Sequence, residues 1–388
     1  MRKNTILFSG LLFFSMVLVL PAIQEIETKR GIRLVHNQKS SLLPGVELKL
    51  IHKIGGLEEK DENLAFGSPY DVDIDSNQNI YVLDARNSHI QKLDPQGRFI
   101  QSIGRRGQGP GEFQGIFSFD IDSEDRIYVY ESQNMRIQVI NNKGETEKTF
   151  KFDSFSMNQI RVQKSGYMIL ARTPRHGDFS EDKKTLPKLL RRLDTEGSVR
   201  TQFGDITDYR DANVNVFANW MFVDIDRKDN IYLTFMYQNR IDKYSPDGKL
   251  LWKADRKLNY KTDVMDKGFV HRDSKGTSIQ APKMNMVSTG LAADHEGRLW
   301  VITFNRQMSE KEMGATVSSG GSVRVIQEPK IKKMDIFTLE VFGSDGIIIG
   351  EVPLNHLAHG IRIVGDNLFI WERDNAAVYQ YKIVSKKS

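Results

Sequence analysis

The sequence predicts an all-β fold: a six-bladed β-propeller of four-stranded antiparallel blades, its last blade closed by the N-terminal strand. Three observations carry this. A phrase recurs: a short apolar strand ending in Asp, a polar turn, Ile-Tyr-Val or its like, and later a Gly turn. Its clearest copies span Asp71–Gly104, Phe119–Phe150 and Phe222–Ala254, and repetition of this kind decides architecture before any single residue is interpreted. The pieces of each copy have strand length and are rich in β-branched and aromatic residues. Finally, the last copy stops one strand short, while a spare alternating stretch stands ahead of the first.

The elements follow in chain order. Arg2 and Lys3 precede Thr5 to Ile23, an almost wholly apolar run, and charge returns at Glu25. This is the order of an export signal. Cleavage there, or retention of residues 5–23 as a membrane anchor, are both open, and the expected location is periplasmic or extracellular. Residues 24–45 read as a polar, irregular linker. Val46, Leu48, Leu50 and Ile54 alternate with Glu47, Lys49 and Lys53, the period of a strand.

The first unit parses as Asp71–Asp75, Ile80–Leu83, Ile90–Leu93 and Phe99–Ile103, with turns at Ser76–Asn79 and Pro95-Gln96-Gly97. The second repeats it from Phe119 and the fourth from Val223. A weaker third unit contains Ile160–Val162, Tyr167–Leu170 and Arg191–Asp194. A fifth contains Gly290–Asp294, Leu299–Ile302 and Ile336–Leu339. The sixth has Ile361–Val364, Leu368–Trp371 and Val378–Tyr381. It lacks a fourth strand, and Val46–Ile54 fits the vacancy, closing a ring and removing an exposed edge. The propeller therefore spans 46–384, with a short tail after it. The degeneracy of units three and five leaves five or seven blades open.

The pattern Val72-Asp73-Ile74-Asp75, Ile80-Tyr81-Val82-Leu83-Asp84 and Ile90-Gln91, followed by Gly104-Arg105-Arg106-Gly107-Gln108-Gly109-Pro110-Gly111, resembles the NHL-repeat family of six-bladed propellers. The resemblance implies the fold and constrains function only weakly.

Composition narrows the function classes. The formal charge is +5, falling to +3 without Arg2 and Lys3, too little for electrostatics to argue for nucleic acid. There is no cysteine, so disulfides, thiolate metal sites and a Cys-linked lipid are excluded.

Extra chain length falls in the links 172–190, 304–335, 104–118, 204–220 and 255–289, all on one predicted rim. Long links in a compact domain are commonly functional. The expectation is therefore a non-enzymatic propeller binding a protein, peptide or glycan through that rim. The alternative is a metal-dependent hydrolase or lyase at the central channel.

Candidate ligand-binding residues are Arg105, Arg106, Phe217, Asn219, Trp220, Tyr237, His356 and His359. The two arginines suit an acidic ligand, and Phe217, Trp220 and Tyr237 suit stacking on sugar or peptide; packing between blades is the plainer reading of these aromatics. The glycines around the arginines lack the Gly-Lys-Ser/Thr ending of a phosphate loop. Trp300 and Trp371 belong to the core.

No metal or other cofactor is expected. Asp75, Asp122, Asp226 and Asp294 end separate first strands and are too dispersed for one calcium ion; they read as turn residues. The NHL-like amidating lyases hold zinc through histidines of several blades. Only the sixth blade here offers one, since Pro69-Tyr70, Ile116-Phe117, Trp220-Met221 and Val287-Ser288 stand at the matching positions. A gluconolactonase-like or strictosidine-synthase-like site would draw on Asn219, Asn285, Glu131, Glu372 and Asp374.

Overall fold

The computed structural model describes residues 25–38, 45–152, 157–180, 185–273, 276–313, 315–319, 322–327, 331 and 333–385. The apolar stretch 5–23 lies outside them. Among the described residues no helix is long and apolar enough to cross a membrane.

Six antiparallel blades surround an axis. Blade one is Pro69–Ile74, Ile80–Asp84, His89–Leu93 and Phe99–Ile103. Blade two is Ile116–Ile121, Ile127–Glu131, Arg136–Ile140 and Thr146–Lys151, and blade three Met157–Val162, Met168–Arg172, Lys188–Leu193 and Val199–Asp205. Blade four is Met221–Ile225, Ile231–Phe235, Ile241–Tyr244 and Leu250–Arg256, and blade five Ser288–Ala293, Leu299–Phe304, Phe337–Phe342 and Ile348–Pro353. Blade six, Gly360–Val364, Asn367–Glu372 and Ala377–Ser385, is completed by Val46–Gly55. The count of six and the closure by the N-terminal strand are thus as the sequence predicts.

The Ile-Tyr-Val-Leu element has a physical cause. Alternate residues of a second strand face opposite neighbours. Ile80 and Val82 pack with blade six around Phe369 and Trp371. Tyr81 and Leu83 pack with blade two around Phe119 and Val129. Second strands are therefore buried on both sides, and each apolar residue there contributes roughly 1.5–3 kcal/mol. One such core fills each of the six interfaces.

Two expectations change. The stretch read as an irregular linker contains a hairpin, Glu25–Lys29 with Ile32–Asn37, whose second strand joins the outer strand of blade four in parallel. Val35 is buried against Trp252. Asn37 Nδ2 donates to the carbonyls of Asp255 (3.0 Å) and Gly346 (2.9 Å), and its Oδ1 accepts from Ile348 N–H (2.8 Å). The hairpin has a local mark in its two-residue turn, Arg30-Gly31 (φ 51° and 77°), whereas the parallel pairing to a distant strand leaves none. In addition, the closing strand does not keep one apolar face. A bulge between Leu50 and His52 switches its faces, so that Val46 and Leu48 pack with blade five and Ile54 with blade one, and Leu50 is left 55% exposed.

The long links share one face and several are tied together. His176 Nε2 lies 3.2 Å from Asn213 Oδ1, and Asn213 Nδ2 donates to the carbonyls of Lys267 (2.7 Å) and Gln280 (3.1 Å). The 3-10 turn His176–Phe179, the helix Ala212–Ala218 and the hairpin Phe269–Asp273 with Gly276–Gln280 form one connected roof.

Candidate functional site

The middles of the inner strands meet at the axis. They bring Asp71 and Asp73 from blade one, Asp120 from two, Arg161 from three, Asp224 from four and Arg362 from six, all buried. Arg161 Nη1 donates to Asp71 (3.2 Å) and its Nε to Asp224 (3.2 Å). Arg362 donates to Asp224 (2.8 Å), Asp73 (3.1 Å) and Asp120 (2.5 Å). The same carboxylates reach the next blade: Asp73 accepts from Ile121 N–H (2.9 Å), Asp120 from Val162 N–H (2.7 Å) and Asp224 from Ala293 N–H (2.9 Å). Four carboxylates share two guanidiniums here, so burial pushes the Asp120 pKa up to about 7.

This plug is visible in the sequence only after the fold is known. The middle residue of the inner-strand phrase is Asp in three copies but Arg in Ile160-Arg161-Val162 and Ile361-Arg362-Ile363. The change of sign at one position was the available signal.

The Asp residues that end the phrases are turn residues, as expected. Asp75 accepts from Asn77 N–H (3.0 Å), Asn79 N–H (2.9 Å) and Tyr81 O–H (3.0 Å), and Asp226 has the corresponding partners in blade four. Among the described residues, no group of three His, Cys, Asp or Glu is placed to hold a metal ion. The carboxylates on the axis are occupied by Arg161, Arg362 and backbone N–H groups. The donor set therefore does not fit the central ion that the channel alternative implied.

Above the plug, the strand starts form a mouth. Blades one, two, three and five each begin with a bulge, at Tyr70, Phe117, Asn158 and Thr289. A bulge re-aims a side chain, and these four reach sideways around the axis. The Tyr70 and Phe117 rings meet edge-on at 5.1 Å. Asn158 Nδ2 donates to Met221 O (2.8 Å), and Thr289 Oγ1 to Ala358 O (2.8 Å). The Arg373 guanidinium, from blade six, lies 4.8 Å from the centre of the Tyr70 ring.

His359 stands at the corresponding start in blade six. Its Nδ1 accepts from Arg373 N–H (3.2 Å), so the proton resides on Nε2, which faces Asp374 Oδ2 at 3.6 Å. Burial, helped by the Arg373 charge, lowers its pKa to about 4. His359 is neutral near pH 7, while the Asp374 side chain is 63% exposed.

The other sequence candidates divide. His356 is structural: its ring stacks on Tyr379 at 3.9 Å, Nδ1 donates to Leu357 O (2.8 Å), and Nε2 accepts from Tyr381 O–H (2.7 Å). Asn219 is buried, caps the helix Ala212–Ala218, and spends its amide on Thr207, Asn215 and Gln238. Phe217, Trp220 and Tyr237 are half-buried. Arg105 is exposed and paired with Glu112 (2.8 Å); Arg106 donates to Arg86 O (3.2 Å). Their glycine-rich link wraps Phe113, whose ring leaves no room for a Cβ at Gly104 (φ 81°), so packing accounts for that glycine. Glu131 is bound by Arg136 and Gln138, Glu372 by Asn375 and Tyr379, and Asn285 donates to Lys261 O. The mouth residues Tyr70, Phe117, Asn158, Thr289 and Arg373 were missed, because bulges leave no clear trace in an alternating pattern.

A family model described as a 6-bladed beta-propeller matches residues 56–290, more than half of the chain. No curated protein matches the sequence. Among solved structures, a candidate exported protein from Bacteroides fragilis is similar at 11% identity and a TM-score of 0.55, covering 91% of this chain and 100% of that one. A virginiamycin B lyase from Staphylococcus aureus is similar at 12% identity and a TM-score of 0.48, covering 87% and 100%. A gluconolactonase from Xanthomonas campestris is similar at 13% identity and a TM-score of 0.49, covering 88% and 91%. The expectation of a non-enzymatic binding rim is corrected here. The physical reason lies in the rim itself, where the insertions spend their polar groups on one another through His176 and Asn213.

Proposed function

We propose, for a chain that belongs to the family of 6-bladed beta-propellers, a hydrolase or lyase working at the mouth above the closed channel. One observation carries the reading: His359 is held neutral at the start of an inner strand, 3.6 Å from the exposed carboxylate of Asp374. Asp374 has the chemistry of a proton acceptor. His359 Nε2–H has the chemistry of a donor to an oxygen that gains negative charge as the proton leaves. Together they suit proton abstraction beside a carbonyl, or activation of water against an acyl or glycosidic centre. The plug of Asp71, Asp73, Asp120, Asp224, Arg161 and Arg362 floors the site, and its buried charges hold the inner strands in register around the pair.

The repeated Val-Asp-Ile-Asp and Ile-Tyr-Val elements support the finer reading that the blades are NHL-like. Arg2 and Lys3 ahead of the apolar run support export.

The test is turnover on a panel of lactones, acyl esters and uronate oligosaccharides, with products identified by mass. At least one class is expected to react. Asp374→Asn should lower kcat about 10²–10⁴-fold, and His359→Gln about 10²-fold, with melting temperatures little changed. No turnover, or variants as fast as the parent, would contradict the proposal.

A further inference from the structure

We infer that the mouth accepts a ring-bearing carboxylate, of which a uronic acid is the simplest member; the inference rests on the mouth being the working site. It starts from arginine pairing. On the insertion-bearing face, Arg105, Arg136, Arg172, Arg240, Arg256 and Arg306 each meet a carboxylate. Among the described residues, Arg86, Arg106, Arg373 and, over blade four, Arg210 form no ion pair, and the first three lie near one another in the fold. Arg106 donates to the Arg86 backbone carbonyl at 3.2 Å, which draws those two together. Arg373 rests on the Tyr70 ring. Arg373 and Arg86 occupy loops of blades six and one, and Arg106 the link from blade one to blade two, the blades whose inner strands begin at Tyr70 and Phe117. The guanidinium fork is matched to a carboxylate, which it can bind through two parallel N–H donors.

The remaining surroundings describe the rest of the ligand. Phe117 is exposed at 39%, with Tyr70 edge-on beside it. An exposed aromatic at a channel mouth gives a flat face for the apolar side of a ring. Asn158 adds a different feature. Its Nδ2 is bound to Met221 O, yet its buried Oδ1 has no hydrogen-bond partner among the described residues. A buried acceptor left open costs free energy unless a donor reaches it, and a ligand hydroxyl supplies such a donor. Cationic forks, an aromatic face and an open acceptor together describe a hydroxylated ring with an acid group. The acidic residues of the link between blades six and one, Glu58, Glu59, Asp61 and Glu62, form no ion pair with these arginines among the described residues. Instead, Glu59 and Asp61 bond to their own backbone.

The experiment is calorimetric titration of the whole chain with trigalacturonate, with its neutral counterpart galactotriose, and with citrate as an anion lacking a ring. Trigalacturonate should bind at least about tenfold more tightly than either, and more weakly as salt rises. The double variant Arg86→Gln, Arg106→Gln should lose about tenfold for trigalacturonate alone, and Phe117→Ala several-fold for both sugars. Both variants alter exposed side chains, and unchanged melting temperatures would verify the fold. Equal binding of galactotriose would overturn the anionic class. Equal binding of citrate would overturn the ring. Unaltered affinity in the variants would overturn the location. Because binding is read without turnover, trigalacturonate that binds and is never transformed would remove the proposed reaction and leave this inference standing.

Discussion

The plug and the mouth are built from the same inner strands, about three residues apart, yet they differ in how their polar groups are used. In the plug, Arg362 alone holds Asp73, Asp120 and Asp224, and the carboxylates use other contacts to grip neighbouring blades. At the mouth, Asp374 is exposed, and among the described residues Asn158 Oδ1 accepts no hydrogen bond and Arg86, Arg106 and Arg373 form no ion pair. Buried charge paired on nearly every side is scaffold, although the Arg362 Nε finds no hydrogen-bond partner among the described residues. Half-used polarity on a shaped surface is where a ligand can gain free energy. The dense ionic cluster that would first draw attention as a site is thus the less reactive of the two.

The comparison is broken most severely at its lower half. Arg362→Ala would leave three buried carboxylates short of their common partner and should cost about 3–5 kcal/mol in denaturant unfolding. A loss below 1 kcal/mol would mean that the plug does not hold the blades. Asn37→Ala comes next. It strands two carbonyls and one N–H between blades four and five and should cost about 1–3 kcal/mol. That measurement separates a structural N-terminal hairpin from a dispensable one.

Acidity sharpens the comparison, because the two regions titrate in opposite senses. Asp120 has a folded pKa raised to about 7 from an ordinary value near 3.8. The folded state therefore binds the extra proton between these values, and stability from this group is lost as pH rises through 7. His359 has a folded pKa lowered to about 4 from 6.5. The unfolded state binds the extra proton there, so its share is present above 6.5 and lost as pH falls toward 4. Asp120→Asn should flatten the alkaline side of a stability profile, and His359→Gln the acidic side, each by on the order of 2 kcal/mol. Exchange of the two effects would reverse the assignment. The smallest effect is at the rim link: Arg105→Ala removes an exposed pair with Glu112 and should change stability by less than about 0.5 kcal/mol.

What the sequence disclosed follows from this physics. Blades one, two and four were legible because Ile80-Tyr81-Val82-Leu83 and its copies must be apolar on both sides, and the Asp75-type turn has few chemical solutions. The parallel strand Ile32–Asn37 was not legible, since its partner Leu250–Arg256 lies more than two hundred residues away and nothing local specifies it. His359 was visible as a candidate, but His356 looked equivalent. Only the coordinates separate a ring stacked on Tyr379 with both nitrogens used from one that faces Asp374. Tyr70 and Phe117 stood at the positions inspected for histidine. Their role depends on bulges that shift the register by one residue, which alternation alone does not reveal.

The central claim is that ligand chemistry belongs to the mouth, with the roofed rim as scaffold. Amide hydrogen exchange with and without trigalacturonate tests it most directly. The account expects slowed exchange in segments 68–73, 115–120 and 357–362 and in the turn around Arg373, with segments 212–218 and 269–280 unchanged. Protection centred on the rim segments, or none anywhere at saturating ligand, would contradict it.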